Sequence, residues 1–362
     1  MSTRTQNHPE TGLRRLRARL ERAARRRTGM PTPQVLVRAP GFEFTFGDQS
    51  KPFHAASAGK LMTATLIAML VEEGRFDFDT PIGTLLPESD LTGLPAAVGV
   101  ALPTEVTVEH LLTHTSGLPD FFEPPQGTET ACSIRTIGPN RDRLWGPSEL
   151  LDEVRRLPEV GHPGERFHYT DINYVLLGRI AEEATGERFA VLLRERVLEP
   201  SGMTRSSTPY DADEPPEDPA EIDVAPLWIS GHELSGTHSL SHAWACGGIV
   251  SVPEDFVRFQ RALYGGELIS PTHLAHLTRP RHRFRRGIRY GAGTMTLCFE
   301  EFLPLLLRGL PQPVGHNGVT STHVFHYPQQ DAHVVLNFHS TREMNHSFMT
   351  HVRIAQLLAK SH

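Results

Sequence analysis

Strand patterns sit at both ends of this chain and are scarce in its middle, so the sequence predicts an α+β fold. One antiparallel sheet is flanked by N- and C-terminal helices and interrupted by a large helical insertion. Three observations carry this expectation. Short strand patterns occur at 34–46 and again from about 290 to 338. Residues 76–245 carry helix and loop signals instead. Each terminus also supplies an amphipathic run able to cover a sheet face. The division expected is a disordered N-terminus at 1–11, a sheet subdomain from 12–75 and 246–362, and a helical subdomain at 76–245, with an active site in the cleft between them.

In order along the chain, residues 12–27 place Leu13, Leu16, Leu20, Ala23 and Ala24 on one stripe with Arg around the rest, an amphipathic helix. Gln34–Arg38 and Phe42–Phe46 read as strands, and Ala39-Pro40-Gly41 as the turn that joins them. A helix beginning near Ser57 runs apolar through Ala64, Leu66, Ile67, Met69 and Leu70 and stops at Gly74. Further helices are expected at 107–113, 147–156, 171–186 and 188–198. The stretch Asp211 to Asp223 holds seven acidic residues and three Pro, which cannot bury itself and reads as a mobile surface loop. Strands return at Tyr290–Cys298, around His316, at Thr322–Tyr327 and at His333–Phe338, before a last helix over about 343–360.

Composition limits the function. A formal net charge of -6 argues against broad affinity for nucleic acid or anionic membrane, since both need an extended basic surface, though local patches can differ. In the same acidic context the Arg-rich first helix reads as packed on a sheet rather than as a nucleic-acid arm. Three Cys (Cys132, Cys246, Cys298), an odd number at no metal-ligand spacing, indicate free thiols in a reducing compartment. No apolar stretch is long enough to span a bilayer, and the basic N-terminus lacks the apolar core of a signal peptide, so the expected location is cytoplasmic. His232, His238 and His242, or His110 and His114, form no H-E-x-x-H pattern; neither a metal nor a cofactor is expected.

The chemistry centres on Ser57-Ala58-Gly59-Lys60. At i and i+3 of a helix the Lys60 stem folds over the Ser57 hydroxyl, placing a base beside a nucleophile. Of 36 basic residues only Lys51, Lys60 and Lys360 are Lys. Arg cannot give up its proton, whereas a desolvated Lys can have its pKa lowered enough to accept one. S-x-x-K alone also fits a solvated Ser and Lys, so its partners must decide. Ala55–Gly59 approximates a G-x-S-x-G elbow as well, but that fold needs alternating strands and helices and gives Lys60 no task.

Four later stretches supply partners: Val108–Leu118 (VEHLLTHTSGL), Phe167–Gly178 (FHYTDINYVLLG), Cys246–Ser251 (CGGIVS) and Gly315–Val319 (GHNGV). In order and spacing the set resembles the serine β-lactamase and penicillin-binding-protein superfamily, in its class C β-lactamase, D,D-carboxypeptidase and carboxylesterase branch, over about residues 12–360. The resemblance implies a β-lactamase-like fold. It makes Ser57 the acylated nucleophile, Lys60 its basic neighbour and Tyr169 a second acid/base, with His316-Asn317-Gly318 standing where the family has K-T-G or H-x-G. The backbone N–H groups of Ser57 and Val319 would hold the oxyanion, at about 3 kcal/mol per donor. Tyr169 shuttles protons only if Lys60 and His316 pull its pKa down from about 10.

Two departures follow. Asp171 replaces the family's Y-x-N amide, and an ionised carboxylate cannot donate to a substrate carbonyl, which counts against β-lactam recognition. His316 replaces a Lys and weakens the fixed positive charge there. The function implied is a serine hydrolase acting through an acyl-Ser intermediate on a small ester or amide. The alternatives are an acyltransferase with a non-water acceptor and, more remotely, a penicillin-binding-like sensor. Six Arg between Arg279 and Arg289 form either a solvated loop or a grip for an anionic donor or acidic carrier protein.

Overall fold

The computed structural model describes residues 7–27 and 29–360. Helix α1 spans Asn7–Arg26, so residues 7–11 are helical rather than disordered, and the rest of the expected disordered terminus, 1–6, lies outside the described residues. Leu16 and Leu20 of α1 are buried against the sheet, as the apolar stripe requires.

Eight strands make the main sheet: β1 (Gln34–Ala39), β2 (Phe42–Phe46), β3 (His282–Arg285), β4 (Ile288–Tyr290), β5 (Met295–Leu297), β6 (Val314–Gly318), β7 (Thr322–Tyr327) and β8 (Ala332–Asn337). Their order is β2-β1-β8-β7-β6-β5-β4-β3, antiparallel throughout, so the N-terminal hairpin joins the C-terminal strands through β1 and β8. The sheet is covered on both faces. Val35 and Val37 of β1 point to the terminal helices and Leu36 to the helical region; Val334, Leu336 and Val335 of β8 divide the same way. Two-sided burial turns these strands into continuous apolar runs instead of alternating ones.

The single strand expected over 290–298 is two, β4 and β5, joined by Gly291–Thr294. Gly293 adopts a left-handed turn conformation, at φ +81, and a side chain there would meet Ala64 Cβ at 2.3 Å. The turn therefore presses backbone onto the Ser57 helix, a close approach that only glycine permits. The Arg-rich stretch before it is not a loop either, since most of it forms the edge hairpin β3–β4.

Helix α2 (Lys60–Glu72) runs behind the sheet, with Lys60 through Ala68 all buried. It is apolar on every side, as a helix enclosed by protein should be. Around it pack α3 (Val108–Leu112), α4 (Pro147–Val154) and α5 (Ile172–Thr185), each within two residues of its expected bounds. The expected helix at 188–198 is a short α-helix, Phe189–Leu193, continued by a π turn, Arg194–Leu198. The acidic stretch is tied at its ends, by Arg188 to Asp211 and Glu214 and by Lys51 to Asp223. The last helix, α6 (Met344–Leu358), lies beside α1 on the far face of the sheet.

Candidate active site

Ser57 sits in a short 3₁₀ turn, Ala56–Gly59, that feeds directly into α2. In a 3₁₀ turn residues i and i+3 eclipse one another, which brings Lys60 over Ser57 more directly than an α-helix would. Ala56 enters the turn at φ +48, a left-handed conformation that is strained for any residue with a Cβ. Its N–H is held by His54 Nδ1 at 3.0 Å. The opposing backbone comes very close. A side chain at Gly318 would meet Ala55 O at 2.7 Å and Ser57 N at 3.4 Å, and one at Gly247 would meet the Ala56 carbonyl. Gly318 thus lets β6 lie along the Ser57 amide, and Gly247 lets the Cys246 segment close the other side.

Lys60 is fully buried, and its ammonium donates to Ser57 Oγ at 3.4 Å and Cys246 O at 3.0 Å. Asp171 Oδ1 lies 2.5 Å from Nζ, and the rings of Tyr169 and Tyr174 lie 5.2 and 5.3 Å from it. Burial works to lower the Lys60 pKa, but the Asp171 carboxylate, aided by Tyr169 and Cys246, overcomes this and holds it well above its ordinary value. The expectation of a lowered Lys60 pKa is therefore reversed. Asp171, the departure from the family pattern, is the cause.

The pKa expectation for Tyr169 is reversed as well. Burial raises it, and the opposing pull of Lys60 is too weak to bring it down. His316 adds no cation, because burial, with the Lys60 charge, pushes its pKa down to about 3. Its Nε2 is buried without a hydrogen-bond partner, while Nδ1 meets the Asn317 carbonyl at 2.8 Å. Val319, beside Gly318, shares a cavity of about 30 Å³ with Ser57, Asp171, Cys246 and Thr320. All seven singled-out residues, Ser57, Lys60, Tyr169, Asp171, His316, Gly318 and Val319, thus converge on one place. Among the described residues no group of three or more His, Cys, Asp or Glu is arranged to hold a metal.

Sequence reasoning missed a relay that positions Tyr169. His114, at φ +56, accepts from Thr170 N–H through Nδ1 at 3.2 Å, so its other nitrogen carries the proton and donates to Tyr290 Oη at 3.0 Å. Tyr290 Oη lies 3.3 Å from Tyr174 Oη, which donates to Leu112 O at 3.4 Å. The His114 ring also packs at a tilt against the Tyr169 ring, with centroids 4.3 Å apart, and His114 O accepts from His168 N–H. The backbone on either side of Tyr169 is thereby held by one residue. The only sequence signal was His114 within the Val108–Leu118 stretch.

Asp120 was missed too. Its oxygens accept from the N–H groups of Asp171 and Glu123, both at 2.8 Å, so it supports the start of α5. Burial, and then the nearby Asp171 charge, push its pKa up to about 7 from an unfolded value of 3.8. A raised carboxyl pKa stabilises fully below the unfolded pKa, and that stability is lost as pH rises through the folded one. The melting temperature should therefore fall from about pH 4 to pH 7 through this group, and Asp120→Asn should flatten that fall in a thermal melt series. An unchanged slope in the variant would assign the pH dependence elsewhere.

With this geometry in place the comparisons are specific. The family described as Beta-lactamase matches residues 46–359. The chain belongs to the β-lactamase family. Its fold is the β-lactamase/transpeptidase-like one, in a family of serine hydrolases. It is similar to penicillin-binding protein 4 of Amycolatopsis lactamdurans, 29% identical over 174 residues, which are 48% of this chain and 40% of that protein. The chain spans about half the length, or less, of the first curated relatives it matches. Among solved structures it resembles the D-amino acid amidase of Ochrobactrum anthropi SV3 in complex with L-phenylalanine, with a TM-score of 0.75, 22% identity, and 98% and 99% of the two chains covered. It also resembles EstCE1, a hydrolase with promiscuous acyltransferase activity, with a TM-score of 0.71, 18% identity, and 97% and 98% covered. At these identities the likeness is one of fold.

In this β-lactamase-family chain the residue two after Tyr169 is Asp171, the carboxylate that pairs with Lys60. The Arg-rich hairpin is also largely engaged. Arg281 pairs with Glu109, and Arg289 and Arg283 with Glu301, so much of the charge expected to face an anionic partner is neutralised within the chain. No helix among the described residues is long and apolar enough to cross a membrane.

Proposed function

We propose that this protein is a serine amidase or esterase that acylates Ser57 with small substrates bearing a free amino group. The observation that carries the reading is the buried Lys60–Asp171 pair, 2.5 Å apart beside the nucleophile. As it stands, Lys60 donates to Ser57 and cannot act as its base. Asp171 also lines the Ser57 cavity, so a substrate ammonium entering there meets a carboxylate. An ammonium that pairs with Asp171 competes with Lys60 for it. Lys60 is then left buried without its counter-charge, its pKa drops, and it becomes able to accept the Ser57 proton.

In this reading the Ser57 proton passes to Lys60 as Oγ attacks the carbonyl, and the N–H groups of Ser57 and Val319 hold the oxyanion. Lys60 returns the proton to the leaving amine or alcohol, with Tyr169, protonated at rest, as the adjoining donor. Neutral His316, whose Nδ1–H goes to the Asn317 carbonyl, presents Nε2 as a hydrogen-bond acceptor rather than a charge. Water then releases the acyl group. Acyl transfer to an amine is the second reading, favoured by the apolar wall of Phe122, Leu227, Ile229 and Leu240 around a cavity with room for little more than one water.

The test compares amino acid p-nitroanilides with the α-amino group free and acetylated. The free amines should be favoured at least tenfold in kcat/KM. Equal or better turnover of the acetylated compounds would remove the amine from the reading while leaving the Ser57 assignment standing. Product analysis with an added amine separates hydrolysis from transfer.

A further inference from the structure

On the face of the sheet away from Ser57, α1, α6, the β3–β4 hairpin and the segment 302–307 enclose a groove of about 830 Å³. That volume is typical of small-molecule sites, which run from about 300 to 1,000 Å³. The walls are apolar, with Leu16, Ile288, Phe302, Leu307, Phe348 and Val352 among them. Its lip is apolar as well. Five large hydrophobic residues are exposed among the described residues, and four of them, Leu303, Leu305 (97% exposed), Leu306 (75%) and Met349, lie at this groove or beside it. Scattered exposed leucines need no explanation, but a cluster around a concavity does.

The charged part of the lining has one sign. Arg15, Arg19, Arg285, Arg286, Arg353 and Lys360 line the groove, and no Asp or Glu does, in a chain whose net charge is -6. Among the described residues Arg15, Arg19 and Arg353 make no ion pair. Arg285 reaches its nearest carboxylate, Glu123, only at 3.9 Å. Burial, and then the charge of Arg19, lower the Arg353 pKa, so these two guanidinium groups, both lining the groove, repel one another. Unmet positive charge over an apolar recess is complementary to one kind of molecule.

We propose that this groove binds a single-chain anionic amphiphile, a fatty carboxylate or alkyl phosphate, with its chain against Leu16, Phe302 and Phe348 and its head group between Arg19 and Arg353. Leu303 and Leu306 line the recess together with Phe302 and Leu307, and a recess suits one alkyl chain better than a bilayer surface does. The groove also reaches the catalytic side of the molecule. Phe284 lines it and packs on the Tyr169 ring at 5.2 Å, and Asn317, between His316 and Gly318 on β6, lines it too.

Titration calorimetry of the full chain with tetradecanoate, below the concentration at which it forms micelles, tests the proposal. One tetradecanoate per chain is expected, bound at least tenfold more tightly than tetradecyltrimethylammonium, and equally well by wild type and Ser57→Ala. Leu306→Asp should weaken binding at least tenfold. Arg19→Glu, at an exposed position, should do the same and should lose the preference for the anion. Several outcomes would overturn the proposal: no binding of tetradecanoate, equal binding of the cationic amphiphile, or full affinity in both variants. Binding to vesicles containing phosphatidylglycerol without binding of the monomer would instead assign the groove to a membrane surface. A dimer in sedimentation that Leu306→Asp dissolves, with no amphiphile bound, would assign it to a second copy of the chain.

Discussion

Ser57→Ala is expected to lose all covalent labelling by an active-site phosphonate and to lose hydrolysis by on the order of 10⁵-fold or more, as removal of a nucleophile does in other serine hydrolases. The loss should appear in kcat with little change in substrate binding, because Oγ contributes to the reaction and not to the shape of the cavity. The fold should survive. Ser57 is only half-buried, its side chain receives one long hydrogen bond from Lys60, and Ala occupies the position on either side of it already. The measurement is intact-protein mass after phosphonate treatment, read beside turnover of a chromogenic short-chain ester. A phosphonate adduct on Ser57→Ala, or turnover close to wild type, would show that another residue is acylated and would end the assignment of Ser57, Lys60 and Tyr169 as one unit.

Ser57 and Lys60 were legible because their relation is local: three residues apart at a helix start, they must share a face whatever surrounds them. The sheet was legible for a similar reason, since strand patterns at two ends of the chain and helix patterns between them allow few arrangements. The protonation of Lys60 was not. It depends on Asp171, 111 positions away, and on the start of α5 bringing that carboxylate to 2.5 Å. Sequence showed Asp171 as a lost amide donor, whereas the structure shows it as a counter-ion. The His114 relay was hidden because hydrogen bonds from one ring to Tyr290 and to the Thr170 backbone join three distant segments. Gly291–Thr294 carried a strand-like setting with a turn inside it, and only the packing of Gly293 on Ala64 explains why the chain folds back there. The amphiphile groove was beyond reach for a further reason. Its cations come from α1, the β3–β4 hairpin, α6 and Lys360 just past it, and only the fold brings these separate segments around one recess.

Asp171→Asn should reverse the protonation of Lys60, and with it the enzyme's response to pH. In wild type, burial favours a neutral Lys60 but the Asp171 carboxylate prevails and keeps it charged, so ester turnover in the absence of a substrate amine should climb with pH without reaching a plateau near neutrality. Asn removes the counter-charge and leaves the desolvation. The Lys60 pKa then falls, the acid limb of kcat/KM for a neutral ester moves to lower pH, and turnover at neutral pH rises. Breaking a buried ion pair ordinarily costs about 3–5 kcal/mol because a charge is left unpaired, but Lys60 escapes most of that cost by releasing its proton. The variant should accordingly be less destabilised at high pH than at low pH. Asn also restores a donor to the position, so turnover of a chromogenic cephalosporin should rise relative to an ester. Preference for a free amine should move the other way, since the carboxylate that would receive it is gone: the advantage over the acetylated substrate should fall from at least tenfold to near parity. An acid limb that stays in place would mean that Asp171 does not govern Lys60. A limb that moves while the amine preference persists would keep the counter-ion role and locate the recognition of the ammonium elsewhere in the site.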